Sequence, residues 1–498
     1  MPTKSVAIIG AGMGGLAAGV YGQLNGYQTD IFEMHSRPGG QCASWTRQGY
    51  TFDACIHHLF GCNDTSAIYQ LWHELGAMPR RLVATEECVA VASPEGTVFR
   101  DYYDPDLLEE HLLQFAPADT AVIHDYANAT RAVAKADFMG AAMMGATGSL
   151  LGMTPRLLPT LKWFKATMAA LGERFTDPFL RAAFPLLVYS MPETPAIVHL
   201  ARHGYGMNGA LQWPLGGAAT LAASIASRYK ELGGQVHYRQ RVTGILVEND
   251  RAAGVKLADG TQHRADMVIS NADGRKTIMD LLRGRYTDAA VRGYCAAPVD
   301  ETPWAVHVFL GVNRDLSAEP SSLVMLLDEP VTIANHTTKS IEMQLYGFDR
   351  TMAPGGKGVI KVELVSGYKY WKELSTDRAR YEEEKQKVAD QTIALLEPQF
   401  PGIRQQVEVV DVPTLLTWER YMGGTHGFAN MPVKKGGIIG SLLGRGQLTS
   451  LPGLGDFRMV GAWATSAGAL FANALSGKNA VKAICKADGK RFVTETEA

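Results

Sequence analysis

Apolar and polar positions along this chain follow two periods, and each predicts an element. Ser5-Val6-Ala7-Ile8-Ile9 is a short apolar run closed by Gly10, which predicts a buried strand. Apolar residues then recur at Leu16, Ala17, Val20, Tyr21 and Leu24, the spacing of one helical face, with Gly26 suited to end the helix. Gln28 to Phe32 is a second strand, ending at Glu33. Glu87 to Ala92 and Gly96 to Tyr102 alternate like a hairpin, Asp104 to Lys135 reads as helices with exposed acids, and residues 138 to 203 are helical and apolar. Trp213-Pro214-Leu215-Gly216-Gly217 opens a helix running through Tyr229, ended by Gly233-Gly234. Strands follow at Gln235 to Tyr238, Val242 to Glu248, Ala252 to Leu257 and Gln262 to Ile269, the last two joined by the Asp259-Gly260 turn. Period-2 strands recur at Trp304 to Val312, Ile341 to Tyr346 and Gly358 to Val365, and Asp377 to Leu396 is a charged amphipathic helix. A strand from Phe457 to Gly461 and a helix from Gly468 to Cys485 close the pattern.

The first turn carries the strongest chemical signal. Gly10-Ala11-Gly12-Met13-Gly14-Gly15 fits G-x-G-x-x-G, set between a strand and a helix, with Glu33 roughly 20 residues further on. Gly10 permits a sharp turn, Gly12 lets backbone approach a pyrophosphate, and Gly15 lets helix and strand pack. The helix N-terminus offers free N–H groups to phosphate, and Glu33 can accept hydrogen bonds from a ribose. A glycine turn alone can be structural. Strand, helix and acid together point to dinucleotide binding.

The choice of dinucleotide comes from Gly39-Gly40, just beyond Glu33. That arrangement is similar to flavoproteins of the glutathione-reductase and amine-oxidase type, where the chain returns to the cofactor's pyrophosphate. More widely, the sequence resembles the phytoene desaturase, carotenoid isomerase and retinol saturase family of FAD-dependent oxidoreductases. The resemblance rests on Gly49-Tyr50-Thr51-Phe52-Asp53, on Pro214-Leu215-Gly216-Gly217, on Gly233-Gly234 before a strand, and on Val268-Ile269-Ser270-Asn271-Ala272-Asp273. It continues in Thr417-Trp418-Glu419-Arg420-Tyr421 with its following glycines, and in Gly461-Ala462-Trp463 with Ala474 to Asn479.

The resemblance implies FAD held by Gly10, Ala11, Gly12, Gly14, Gly15, Glu33, Gly39, Gly40 and Gln41, with Val242 holding the adenine through its backbone. It implies that the last helix aims its N-terminus, at Gly468 and Ala469, toward the flavin beside Gly461. Where the family commonly has Arg after the glycine pair, this chain has Gln41, which implies phosphate contact through backbone N–H. A cysteine or histidine makes the covalent link in related oxidases; Ala464-Thr465-Ser466 offers neither, so the flavin is expected to be non-covalent. The implied fold is α/β: a Rossmann-type FAD-binding domain, glutathione-reductase or amine-oxidase-like, interleaved with a mixed α+β substrate domain. Residues 1–70, 204–290 and 450–498 are assigned to the first, and 71–203 and 291–449 to the second.

Composition narrows the setting. At 498 residues the chain can hold two or three domains, and 46% hydrophobic with 20% charged residues is ordinary for a soluble protein. A net charge of -2 gives no footprint for nucleic acid or an acidic membrane surface. Cys42, Cys55, Cys62, Cys88, Cys295 and Cys485 show no C-x-x-C pair and no metal spacing, which reads as reduced thiols in a cytoplasmic protein with no metal. Phe138 to Pro155 is uncharged and rich in Gly, Ala and Met, and reads as the cover of an apolar site or a peripheral membrane contact. No second strand–G-x-G-x-x-G–helix unit occurs, so electrons are expected to pass to or from oxygen, a quinone or another redox protein.

Candidate proton-transfer residues are few. His57 and His58 are adjacent and on a strand would point to opposite faces, so at most one meets the flavin. Asp177 and Arg181 lie four apart, an ordinary helical ion pair, although family members carry an acid and an arginine in this region. Glu419 and Tyr421 flank an expected cofactor-side loop. Such a chain is rich in cofactor motif and poor in polar catalytic groups. That suits an enzyme that adds, removes or moves hydrogens along an apolar substrate such as a carotenoid, isoprenoid or fatty acyl chain. Amine oxidation is the alternative enzyme, and a non-catalytic binder of prenyl or lipid groups, like the Rab escort proteins, the alternative of another class.

Overall fold

The computed structural model describes residues 3–134, 137, 140–141, 144, 158–296, 301–424, 448–465 and 469–495. A five-stranded parallel sheet gathers strands from three distant stretches in the order Gln235–Tyr238, Gln28–Glu33, Ser5–Ile9, Met267–Ser270, Phe457–Met459. Its central strands Ser5–Ile9 and Met267–Ser270 are buried almost throughout and apolar without alternation because both faces are covered, whereas the edge strand Gln235–Tyr238 is polar and partly exposed. Val6 and Ile8 enter one core, while Ala7, Ile9 and Val268 enter another. Helix Met13–Leu24 is buried around most of its circumference, which explains its Gly and Ala content. Helix Leu470–Ala487 lies against it so closely that a Cβ on Gly477 would stand 2.3 Å from the Gly14 carbonyl oxygen.

The second large sheet has seven strands, in the order Val407–Asp411, Glu301–Val312, Gly358–Gly367, His336–Leu345, Ser322–Ile333, Glu87–Ala92, Val98–Tyr102. One face packs Val308, Leu310, Val362, Ile360 and Met343 with Val388 and Leu396 of helix Arg378–Leu396. Its other face turns toward the rest of the core.

Several expectations change in detail. The strand expected over Gln262 to Ile269 is two strands, Gln262–Arg264 and Met267–Ser270, in different sheets. The break falls at Asp266, whose Oδ2 accepts hydrogen bonds from the backbone N and the Oγ of Ser5, both 2.8 Å. The helical stretch expected to end at residue 203 runs on, with Gly204 and Gly206 inside helix Ala196–Met207. Strand Ser322–Ile333 was not legible, because Asp328, Glu329 and Pro330 interrupt it; its pairing slips between Leu326 and Val331. Phe138–Pro155 falls almost entirely outside the described residues. Just beyond it, Trp163 is buried in the core whereas Leu161 is exposed. No helix among the described residues is long and apolar enough to cross a membrane.

Candidate functional site

The glycine turn is built as its spacing demands. Gly10 has φ +90°, and its N–H donates to the Phe32 carbonyl at 2.9 Å, tying the first strand end to the second. A Cβ on Gly15 would stand 2.0 Å from the Gly10 carbonyl oxygen, so strand and helix meet only through glycine. Gly12 caps helix Met13–Leu24 without any side-chain hydrogen bond, leaving the first-turn N–H groups available to an anion. The returning loop closes on it: Gly39 N–H donates to the Ala11 carbonyl at 2.8 Å, and Gly39 and Gly40 have φ of +121° and +58°.

Glu33 ends its strand buried. Its Oε2 accepts from Ala11 N–H and its Oε1 from His35 N–H, each at 2.8 Å. A cavity of about 640 Å³ opens beside it, lined also by Gly10, Gly12, Gly40 and Val242 and by the cations Arg37, Arg241 and Lys276. The Gln240 N–H donates to the Glu33 carbonyl at 2.8 Å, which sets the chain leading into Val242 over this cavity. A second cavity, about 140 Å³, continues past Gly14, Gln41 and Cys42 to Gly461, Trp463 and Asn473. Gly12, Gly40, Asn271, Ala272 and Asp273 line both, so the two form one trench.

At the far end, Gly461 has φ +84°, and its N–H donates to Ser476 Oγ at 2.7 Å. Helix Leu470–Ala487 begins beside it at Ala469, again without a side-chain cap. Asn473, in its first turn, lines the trench with a buried Oδ1 that has no hydrogen-bond partner among the described residues. A long trench with a buried carboxylate at one end, two uncapped helix N-termini and an orphaned amide oxygen fits a dinucleotide whose far ring presents a polar edge.

The family model for flavin-containing amine oxidoreductases matches residues 13–484. The chain belongs to that family. It is an FAD-dependent oxidoreductase, an enzyme of the α/β amine-oxidase fold. It is 31% identical over 287 residues to a lycopene-forming phytoene desaturase of a Paracoccus species, a match spanning 56% of each chain. It is 25% identical over 477 residues to the chloroplastic prolycopene isomerase of Daucus carota, covering 90% of this chain and 75% of that one. Among solved structures, an oxidoreductase from Methanosarcina mazei superposes with a TM-score of 0.62 at 18% identity, covering 96% of this chain and all of the other.

Of the residues expected at the FAD site, Gly10, Gly12, Glu33, Gly40 and Val242 line the larger cavity, and Gly14, Gly39, Gln41 and Gly461 the smaller one. Ala11 supplies its N–H to Glu33, Gly15 packs the turn, and Ala469 caps the last helix. Gly468 lies outside the described residues. Gln41 lines the smaller cavity, while Arg37 reaches the larger one; the Arg37 Nη1 donates to the Ser44 carbonyl at 2.6 Å.

The proton-transfer candidates are scattered. Asp177 caps helix Pro178–Ala183, accepting from Leu180 N–H at 2.8 Å, and Arg181 meets Glu173 at 3.3 Å rather than Asp177. Glu419 accepts from Tyr368 Oη–H at 2.8 Å and does not line the trench. Tyr421 does line it, in the larger cavity, with its ring 5.7 Å from His35. His58 is half-buried, its Nε2 enclosed and unpartnered among the described residues, and burial with Arg202 and His57 nearby holds it well below the ordinary imidazole range. His57 instead approaches Glu363, with Nε2 3.1 Å from Oε2, and burial likewise keeps the ring neutral. The linear motifs missed the hub of the site, Asn271, and the buried acids near His57. The only hint of Asn271 was its place in Val268–Asp273.

Proposed function

We propose that this flavoenzyme transfers hydrogen at carbon–carbon bonds of a long apolar substrate, a carotenoid, isoprenoid or fatty acyl chain, by desaturation, saturation or isomerisation. The observation that carries this reading is the similarity, along 90% of the chain, to a prolycopene isomerase, joined by the similarity to a phytoene desaturase. Bound in the trench, FAD would supply two-electron hydride chemistry. The protein's own part is to bind and orient. Glu33 would hold the ribose, the N–H groups following Gly12 would hold phosphate, and the N-terminus of helix Leu470–Ala487 would offer its positive dipole end to the ring. Trp45 and Trp418 line the trench wall and offer apolar surface.

Amine oxidation is the second reading, favoured by the family's description. An anaerobic panel separates the two. Oxidised and then dithionite-reduced enzyme is mixed with polyenes, fatty acyl chains and simple amines while flavin spectra and products are followed. A spectral response or product with an apolar chain supports the proposal. Bleaching by a simple amine, with no response to any apolar chain in either redox state, replaces it. We further propose oxygen, a quinone or a redox protein as electron partner, and peripheral contact with a bilayer in which such substrates dissolve. Rapid stoichiometric bleaching by NADH or NADPH would refute the first, and failure to float with liposomes the second.

A further inference from the structure

Helix Leu415–Met422, which carries Thr417-Trp418-Glu419-Arg420-Tyr421, forms a wall of the trench that the glycine turn does not supply. Thr417, Trp418, Arg420 and Tyr421 line the larger cavity together with Gly12 and Glu33. Met422 lines both cavities, as Gly12 and Gly40 do, so the helix ends where the larger cavity passes into the smaller. Gly423, left-handed at φ +66°, stops it there. A Cβ on Gly423 would stand 3.1 Å from the sulfur of Met34, the residue after Glu33. The end of this helix therefore rests on the strand end that carries the buried carboxylate.

The same helix is anchored on the side of the seven-stranded sheet. Its cap, Thr414, shares a 2.7 Å hydrogen bond between its Oγ1 and Tyr381 Oη, on helix Arg378–Leu396. Leu415 is buried in the core of that sheet, and Trp418 packs between the rings of His307 and Trp45, at 5.0 and 6.1 Å. This base is fixed. The last turn has a different hold: Glu419 Oε2 accepts from Tyr368 Oη–H at 2.8 Å, on helix Tyr368–Leu374. Burial and that bond push the Tyr368 phenol up to about 12, so it stays a donor. Leu415 and Glu419, four residues apart, share the anchored face, whereas Thr417, Arg420 and Tyr421 share the face over the trench.

A ligand held between two walls leaves only when one of them moves. The glycine turn is tied to Phe32, Glu33 and Gly39 by backbone N–H groups, and Gly15 packs it against its own helix. The last turn of Leu415–Met422 is tied by one side-chain pair and ends at a glycine. We propose that this last turn is a clamp on FAD that lifts whenever the cofactor enters or leaves, and that Tyr368 and Glu419 are its latch. Both are positioning residues: neither lines the trench, and they act through Arg420, Tyr421 and Met422, which do. Cofactor exchange is thereby governed from the sheet side, by groups that never touch FAD. The inference rests on the FAD site alone and is independent of the apolar substrate proposed above.

Cofactor kinetics test this without any substrate. Exchange of bound FAD for excess radiolabelled FAD gives the dissociation rate of the holoenzyme, and stopped-flow quenching of FAD fluorescence by apoprotein gives the association rate. Tyr368→Phe removes the latch and alters no group that lines the trench. Both rates should rise together by roughly 10-fold, the effect of one hydrogen bond to a charged group, while their ratio, the dissociation constant, is unchanged. Glu419→Ala breaks the same latch from its half-buried side and serves where Tyr368→Phe does not fold. The double variant should be no faster than either single one. Faster dissociation with unchanged association makes the helix an ordinary contact and overturns the clamp. Unchanged rates overturn it as well, and a further rise in the double variant overturns the shared latch. None of these outcomes bears on the substrate, which the anaerobic panel decides separately.

Discussion

Asn271 occupies the space that a side chain on Gly461 would need: a Cβ there would stand 2.3 Å from Asn271 Oδ1. The same carboxamide stands 2.7 Å from a Cβ on Gly12, through Nδ2, and 2.6 Å from one on Gly14, through Oδ1. One side chain thus sets the spacing between the phosphate turn and the flavin-side loop. Gly461→Ala should give apoprotein, because it adds both this clash and a φ of +84° that costs an L-residue about 1–3 kcal/mol. Asn271→Ala combined with Gly461→Ala removes the clash and leaves the strain, so flavin content should recover only in part. The ratio of flavin to protein absorbance reads both.

Glu33→Ala should weaken FAD binding by roughly 10–100-fold, the effect of losing one charge-assisted hydrogen-bonding group worth about 1.5–3 kcal/mol. Part of that loss comes from the protein itself, since Glu33 also holds Ala11 and His35 N–H. Glu33→Gln, which can keep one of these bonds, should fall between. Fluorescence titration of apoprotein with FAD gives the constants. Equal affinity for all three proteins would remove Glu33 from the site.

Acid precipitation should release all the flavin into the supernatant. Cys42 is a thiol in the smaller cavity of the trench, but its hydrogen bond with Cys55 and its burial raise it well above the ordinary range, so it stays protonated and a poor nucleophile. Cys42→Ser should keep its flavin. Colour retained in the wild-type pellet and lost from that of the variant would show a covalent bond at Cys42.

Glu342 should make the protein less stable as the medium turns alkaline. Burial and the charge of Glu363 push its folded value up to about 8, above the unfolded carboxylate value of about 4.3, so the folded state holds a proton that the unfolded state has released. That contribution is complete below the unfolded value and is lost as pH rises to the folded one. For Glu363 burial is outweighed by His57 and Lys361, which hold it below the ordinary range, so its contribution runs the other way and is lost only on acidification. Urea unfolding across this window should show a downward slope for the wild-type protein and a flatter one for Glu342→Gln. Parallel curves would mean that Glu342 is ionised in the fold.

Most of the nucleotide site could be read from the sequence because its demands are local. A turn that only glycine can make, a helix that must start there and an acid at the next strand end all fall within Ser5 to Gly40. Asn271 was hidden because its importance lies in what it touches, two loops far away in sequence. The acids beneath His57 were hidden for a different reason. Alternation in Glu342-Met343-Gln344-Leu345 and Lys361-Val362-Glu363-Leu364 ordinarily marks one buried and one wet face. Here both faces are covered, and nothing in a period-2 pattern tells water from a buried charge network. Asp177 and Arg181 show the converse: four-residue spacing suggested a pair, but Asp177 serves as the cap of a short helix.

The pairing of Ser5–Ile9 with Met267–Ser270, and of the latter with Phe457–Met459, also has a temporal side. On the ribosome the phosphate turn is made first, whereas Gly461 and the helix carrying Asn473 are made more than four hundred residues later. Until then the buried face of helix Met13–Leu24 has no partner in Leu470–Ala487, and the trench lacks its flavin-side wall. Flavin capture must therefore wait until Gly461 and this helix have been made. Until then the nascent chain carries the apolar face of helix Met13–Leu24 without this partner, the kind of exposed surface that invites misassembly. A cell's yield of holoenzyme then depends on the flavin available when the chain is released.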